Sequence, residues 1–367
     1  MTKEIDTGVF LPVGRHGWVH SVNAPAAEDA SYARVLRVVQ AAESIGFDFV
    51  LSPSIWRGRK GPSQHWGDVL ESLTTSAALL QATAQIKVYS TAHMTVFPPA
   101  TIAKMVATMD QIAPGRAGLN VVTGPSYLDL AHIGLWNDDL AHDERYDMGD
   151  EWISVVKRLW TEEVVDHKGR FFETLEGTMG PKPAVMPRLI NAGASPRGFR
   201  FAAENCDVAF ISAGDDPAAI ETARRGKEIA RDLGRDGFAT YGVVSLIPAA
   251  TDEEADARLD HFNAGVDLEC LDDIEAGYSQ NRNRAALSDA STSLSGGVER
   301  SCVLPGTMVG SYETLARRLA TAITEGDLDG LMVMVPDYVE DLDGLARHTF
   351  PLLPDLGIHH RVAVQPG

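Results

Sequence analysis

Cysteine and positive charge are both scarce in this 367-residue chain. The three cysteines, Cys206, Cys270 and Cys302, are scattered and odd in number, so a disulfide framework is not expected and reduced thiols are the simpler interpretation. The 32 lysines and arginines are outnumbered by 51 aspartates and glutamates, which gives a formal net charge of −19. A chain this acidic is not expected to bind nucleic acid or an anionic membrane surface.

Long apolar runs and metal-binding motifs are also missing. No stretch is long enough to cross a bilayer, and residues Met1–Asp6 lack the basic and apolar regions of a signal peptide. These absences predict a cytoplasmic protein. No His-Glu-x-x-His, paired Cys-x-x-Cys or calcium-loop spacing occurs, so no metal site is predicted.

The sequence does contain a regular alternation of short apolar runs and helical patterns. Such alternation is typical of βα units that build a parallel sheet. Glycine often ends the helical patterns, as Gly46 does after the first. Eight runs are predicted to be strands: residues 8–12, 47–51, 86–89, 117–122, 188–191, 208–211, 241–247 and 331–335.

Eight βα units predict an α/β fold of the closed (β/α)8 type, a TIM barrel. The length suits one barrel domain, residues 1–367, with insertions. Insertions are predicted at about 124–142, 162–187 and 271–305, and the last of these is polar enough to cover the barrel mouth as a loop. The alternative is an open doubly wound sheet, whose dinucleotide-binding form would need a glycine fingerprint after the first strand; none follows it here.

Polar residues follow the predicted strands, where barrel enzymes place their active sites. Convergent carboxylates, a nucleophile beside a base, or metal ligands would indicate hydrolysis, and none is evident. Amides and hydroxyls dominate instead, which suits a bound organic cofactor that carries the chemistry itself. The residues are Ser52, Ser54, Thr91, His93, Asn120, Thr123, Ser195, Ser212 and Asp337.

Each candidate also has a structural interpretation. The turn at 193–198, with Ser195 as a helix N-cap, would seat a phosphate, although ordinary capped turns are more common. Asn120, inside an apolar strand, would either hold a planar polar ring or bond to a neighbouring strand. A histidine such as His93 is more often a satisfied polar residue than a base.

Two charged features are expected to be solvated. The basic segment that contains Arg57 and Arg59 would attract an anionic ligand, but a surface loop is the safer interpretation. The carboxylates of Asp110 and Asp129 are expected at helix ends or on the surface.

Several motifs, taken together and in order, resemble the bacterial-luciferase-like flavin-dependent monooxygenases, and among them most closely the pyrimidine monooxygenases. The similarity covers about residues 8 to 355. The Asn-x-Val-Thr-Gly and Arg-Tyr motifs are the most specific in combination. The matching segments are Gly8–Gly14 with Gly17-Trp18, Phe47–Ser52, Arg57-Gly58 with Trp66, Leu70–Ser72, Pro98–Ala100, Asn120–Gly124, Arg145–Asp147, Ala192-Gly193 and Gly306–Tyr312.

The resemblance implies a two-component enzyme. Reduced FMN would come from a separate NAD(P)H-dependent flavin reductase, dioxygen would be the co-substrate, and a small heterocycle or amide would be oxygenated, as in the oxidative opening of a uracil-like ring. Homodimers or homotetramers are usual in this family.

The resemblance also implies roles for individual residues. Thr91, His93 and Asn120 would form the catalytic group, and Asn120 would also contact the flavin. Leu51, Pro53, Trp66 and Pro125 would line the substrate and oxygen pocket. The other flavin contacts would be Ser54, Ile55, Asp129, Arg145, Tyr146 and Ser195, of which the last three would lie nearest the phosphate.

Departures from the family pattern fall on the substrate side. Pro125 replaces a tryptophan, Asp129 a glutamate, Pro53 a methionine and His93 an alanine. Three alternatives therefore stay open: a sulfone or sulfonate monooxygenase, whose cationic pocket Arg57 and Arg59 would supply, an F420-dependent oxidoreductase on the same fold, and a flavin-binding barrel without turnover.

Overall fold

Eight parallel strands form a closed barrel in this computed structural model. It describes residues 2–363 apart from positions 13, 15, 16, 26–29, 125, 137–141, 194 and 280–299. In chain order the strands are β1 (Lys3–Glu4), β2 (Asp6–Phe10), β3 (Phe49–Ser52), β4 (Lys87–His93), β5 (Ala117–Val122), β6 (Val165–Lys168), β7 (Glu173–Gly177), β8 (Arg188–Asn191), β9 (Val208–Ser212), β10 (Ala239–Ala249), β11 (Met308–Ser311), β12 (Gly330–Met334) and β13 (Ile358–His359).

The barrel strands are β2, β3, β4, β5, β8, β9, β10 and β12, hydrogen-bonded in that order. The ring closes where β12 pairs with β2, so that Met332 lies opposite Gly8. Each barrel strand overlaps one of the eight predicted runs, and the predicted bounds of β5 and β8 are the observed ones. The predicted (β/α)8 barrel is therefore confirmed.

Helices follow most of the barrel strands and pack around the barrel. Several begin at a side-chain cap: Ser31 accepts a hydrogen bond from the Arg34 amide, and Asp216 from the amides of Ala218 and Ala219. The helices are α1 (Tyr32–Ser44), α2 (Ser72–Ala82), α3 (Pro99–Ile112), α4 (Tyr127–His132), α5 (His142–Thr161), α6 (Pro196–Asn205), α7 (Pro217–Asp232), α8 (Asp252–Asn263), α9 (Leu268–Ser279), α10 (Tyr312–Glu325) and α11 (Glu340–Gly344).

Aromatic rings fill the barrel interior. Phe49, Tyr89, Phe210 and Tyr241 are buried together there, and the Phe49 ring centroid lies 5.2 Å from that of Tyr89 and 5.4 Å from that of Tyr241. The backbone of Gly8 makes room for them, because a Cβ at that position would lie 2.2 Å from the Phe49 ring. A packed interior leaves the carboxyl ends of the strands as the place for a site.

Three regions outside the barrel strands bear on the predictions. An antiparallel hairpin, β6–β7, occupies part of the predicted 162–187 insertion. The segment predicted as a polar loop from 271 begins as helix instead: α9 extends to Ser279, while 280–299 lie outside the described residues. The family-matching segment that begins at Gly306 contains β11, which lengthens the sheet beside β10, and Ser311 caps α10. Among the described helices, none combines the length and the apolar character that a bilayer crossing requires.

Candidate active site

The turn between β8 and α6 forms a cradle of glycine backbone and hydroxyl groups. Ser195 caps α6 and accepts a hydrogen bond of 3.0 Å from the Gly198 amide. A Cβ at Gly198 would lie 2.7 Å from the Tyr146 hydroxyl, and one at Gly193 would lie 3.0 Å from it. These two positions therefore need glycine, and the phenol stands directly over the helix N-terminus. A helix N-terminus flanked by a serine and a phenol hydroxyl suits a phosphate.

A buried cation lies next to this cradle in sequence. Arg145 precedes Tyr146 on α5 and is 8% exposed. Burial lowers its pKa, but a guanidinium still stays charged. Its Nε has no hydrogen-bond partner in the described part of the chain. A buried donor of this kind calls for an anionic acceptor.

Two buried asparagines on neighbouring strands differ in how well they are satisfied. Asn191 on β8 donates to the Val121 carbonyl at 2.7 Å and accepts from the Gly193 amide at 2.8 Å. Asn120 on β5 donates to the Thr91 hydroxyl at 3.2 Å, but its Oδ1 is buried with no partner among the described residues. Asn191 thus supports the turn that precedes α6, whereas Asn120 keeps a buried acceptor without a described partner.

The carboxyl end of β4 carries a buried histidine. His93 is 4% exposed, and burial lowers its pKa to about 4, against a smaller opposing effect of the Asp129 carboxylate. Its Nδ1 has no partner in the described ranges. The imidazole is therefore neutral at pH 7 and can accept or donate one hydrogen bond, depending on its tautomer.

Asp129 and the arginines of the loop after β3 correct the prediction of solvated charges. Asp129, 3% exposed, accepts from the amides of Trp56 and Arg57 and pairs with Arg59 Nη2 at 3.2 Å. Arg57 forms a two-pronged pair with Asp273 at 2.6 and 2.9 Å. Asp110 is buried too, where it accepts from the amides of Gly115 and Ala184. These carboxylates hold loops in place rather than facing water.

The remaining predicted pocket residues occupy different levels of the barrel. Leu51 packs into the aromatic interior, and Pro53 and Ser54 are buried immediately after β3. Ile55 is half-buried. Trp66 is half-buried, and its ring contacts the Trp18 ring edge-on with centroids 5.2 Å apart. Pro125 lies outside the described residues, and the roles of all these residues stay predictions.

The sequence did not predict the burial of Arg59. The guanidinium lies beside the Trp66 ring, 5.4 Å from its centroid, and its side chain is 2% exposed. Its carboxylate partner is 70 positions away in the chain.

Comparison with known proteins identifies the family. The model of the luciferase-like monooxygenase family matches residues 5–327. A pyrimidine monooxygenase, RutA, from Allorhizobium ampelinum is 35% identical over 363 residues, covering 96% of both chains. RutA from Acinetobacter baylyi is 33% identical, covering 94% of both. The chain therefore belongs to the luciferase-like monooxygenase family, and the expected flavin-dependent monooxygenase class is confirmed.

Solved structures support the same fold. A riboflavin lyase, RcaE, crystallised with modified FMN and riboflavin, superposes with a TM-score of 0.80 at 22% identity, covering 98% of this chain and 93% of that one. The long-chain alkane monooxygenase LadA gives 0.79 at 21% identity, with the same coverage. An F420-dependent secondary alcohol dehydrogenase gives 0.65 at 18% identity, covering 91% of this chain and 95% of that one.

Proposed function

We propose that this protein is a two-component FMN-dependent monooxygenase that oxygenates a small cyclic amide, with ring opening at the amide bond. Reduced FMN would come from a separate NAD(P)H-dependent reductase, by diffusion or by transient contact, and dioxygen would be the co-substrate. The similarity to RutA along almost the whole chain supports this substrate class.

The residues at the barrel mouth fit FMN. The phosphate would bind at the N-terminus of α6, among Ser195, Tyr146 and Arg145, where a buried donor lacks a described partner. The ring system would reach Asn120, whose free Oδ1 suits a ring N–H. Ser54, Ile55 and Asp129 would line the remaining edge. This combination of an anion cradle after β8 and an unsatisfied amide on the neighbouring strand β5 is the observation that carries the proposal.

Bound reduced flavin would supply the electrons that activate dioxygen. The chain would orient the reactants and exclude water. Thr91 keeps the Asn120 amide in one orientation through their 3.2 Å hydrogen bond, which leaves Oδ1 directed at the ligand. Neutral His93 would position the substrate by one hydrogen bond or move one proton, while Leu51, Pro53, Trp66 and Pro125 would shape the pocket.

The paired state of Arg57 and Arg59 argues against a sulfonate substrate. Each guanidinium already has a carboxylate partner, so neither offers uncompensated positive charge to a sulfonate. We further propose a cytoplasmic homodimer or homotetramer that binds neither nucleic acid nor membrane.

An oxygenation assay with isotopically labelled dioxygen tests the proposed reaction. Purified protein would be supplied with FMN, NADH, a generic flavin reductase, and a panel of uracil, other cyclic amides and small sulfones, with mass spectrometry as readout. We expect one labelled oxygen atom in a ring-opened amide product. Label confined to sulfones would reassign the substrate, and turnover only with F420 would refute the flavin assignment.

A further inference from the structure

We propose that Arg59 is a substrate-recognition residue and that it donates a hydrogen bond to a carbonyl oxygen of a neutral cyclic amide. The inference rests on the proposed function, because it concerns the substrate of that reaction. It adds a specificity-determining residue outside the motifs that the family resemblance supplied.

The hydrogen-bonding state of Arg59 is the first observation. Only Nη2 has a partner in the described chain, at 3.2 Å from Asp129, while Nε and Nη1 are buried and unpaired there. The side chain is 2% exposed, so water does not compensate readily. A guanidinium stays charged, so loss of a proton does not relieve the desolvation cost of its unpaired donors. Two buried donor nitrogens therefore await acceptors.

The loop that carries Arg59 is the second observation. Gln64 and Trp66 have left-handed φ angles of 48° and 55°, which non-glycine residues rarely adopt. The Arg59 amide bonds to the His65 carbonyl at 2.8 Å, which ties the two sides of the loop together. Strain of this kind persists where the surroundings impose it and clusters at ligand sites. Here it brings the Trp66 ring beside the guanidinium.

Arg59 is linked to the barrel mouth through Asp129. The Asp129 carboxylate binds Arg59 on one oxygen and the Trp56 and Arg57 amides on the other. It also lies close enough to His93 to influence that imidazole electrostatically. The unpaired donors of Arg59 and the unpaired His93 Nδ1 therefore belong to one buried polar region above β3, β4 and β5.

The charge balance selects a neutral ligand. Arg57 and Arg59 are matched by Asp273 and Asp129, and the Asp267 carboxylate accepts from Ser63 N at 2.8 Å in the same loop. An added anion would meet no excess positive charge, so its desolvation would be poorly compensated. A carbonyl oxygen accepts a hydrogen bond without adding charge. A cyclic amide presents such an oxygen on a flat ring that an aromatic wall can cover.

Ligand binding to FMN-loaded protein, measured by calorimetry, tests the role of Arg59 without turnover. The probes are uracil, pyrimidine, which lacks the carbonyl oxygens, and orotate, which adds a carboxylate to uracil. The variants are Arg59→Met and Arg59→Lys. The matched control is Arg258→Met, which removes another carboxylate-paired arginine; its partner is Asp341, close to the C-terminal helices.

We expect wild type to prefer uracil over both other probes. Arg59→Met should weaken uracil binding roughly 10- to 100-fold, the usual effect of losing a charged donor, and leave pyrimidine binding unchanged. Arg59→Lys should recover part of the preference, and Arg258→Met should retain it fully. FMN affinity, titrated in parallel, should stay the same in all variants.

Three results would overturn the proposal. Equal losses for uracil and pyrimidine in Arg59→Met would make Arg59 a structural residue. Tighter binding of orotate than of uracil by wild type would identify an anion site. Wild type that binds pyrimidine as tightly as uracil would show that no carbonyl oxygen is recognised. The flavin titration and the labelled-oxygen assay judge the monooxygenase proposal separately in each case.

Discussion

Replacing Asn120 and Asn191 by alanine should have opposite consequences, although both are buried amides on adjacent strands. In Asn120→Ala, one hydrogen bond to Thr91 is lost, worth about 1 kcal/mol. An acceptor without a described partner is also removed, which relieves a desolvation cost of about 1–3 kcal/mol. The relieved cost equals or exceeds the lost hydrogen bond, so flavin-free Asn120→Ala should be as stable as wild type or more stable by up to about 2 kcal/mol.

Asn191→Ala is the matched control. It removes hydrogen bonds of 2.7 and 2.8 Å and leaves the Val121 carbonyl and the Gly193 amide unpaired. Because each unpaired buried group carries its own penalty, we expect a loss of roughly 3 kcal/mol in the free energy of unfolding. Asn120→Ala should instead lower the oxygenation rate about 100-fold, in the range reported for a single preorganised hydrogen-bonding group.

Urea unfolding of the flavin-free variants and single-turnover oxygenation with saturating reduced FMN would measure the two effects. The dependence of the free energy of unfolding on urea concentration should match wild type. Differences between the urea midpoints then report differences in stability directly. Equal destabilisation by the two substitutions, or an Asn120→Ala enzyme at full rate, would show that Asn120 serves the fold and not the ligand.

Three further predictions concern the cofactor cradle and pH. Arg145→Met should weaken FMN binding roughly 10- to 100-fold in a fluorescence titration, and unchanged affinity would refute the phosphate assignment. Gly198→Ala should also weaken FMN binding, since its Cβ would meet the Tyr146 hydroxyl at 2.7 Å; wild-type affinity with unchanged helix content would contradict this. Burial lowers the pKa of both His20 and His93 to about 4, so the unfolded chain binds more protons below pH 6.5. Stability should be complete above pH 6.5 and fall as pH drops towards 4, and His93→Gln should flatten this fall in acid-unfolding curves.

The barrel was predictable because its signal is local. Strands β5 and β8 are short apolar runs, and their predicted bounds match the observed ones. A parallel strand that is buried on both faces gives a mostly apolar run in the sequence, because neither of its faces meets water. The N-cap role of Ser195 was equally readable, since capping joins residues three positions apart.

The buried polar region above β3, which contains Arg57 and Arg59, was not predictable, because its contacts join residues that are remote in sequence. Arg57 and Asp273 are 216 positions apart, and no local sequence pattern at either residue predicts their ion pair. A basic segment with glycines is usually solvated, so the burial of Arg59 reverses the expected outcome. The sequence did not predict α9 either, because polar residues dominate the segment from 271 onwards. Its apolar residues Cys270, Leu271 and Ile274 are nevertheless buried.

The proposed cofactor region and the proposed substrate region at the barrel mouth come from different stretches of the chain. With the proposed roles, the phosphate would bind residues between 145 and 198, whereas the substrate would meet the loop around Arg59, which Asp273 on α9 holds through Arg57. A lineage could therefore retain its cofactor and acquire a new substrate through changes at loop positions, without disturbing the barrel strands. In this chain, the same division would let cofactor binding and substrate binding be altered by separate sets of substitutions.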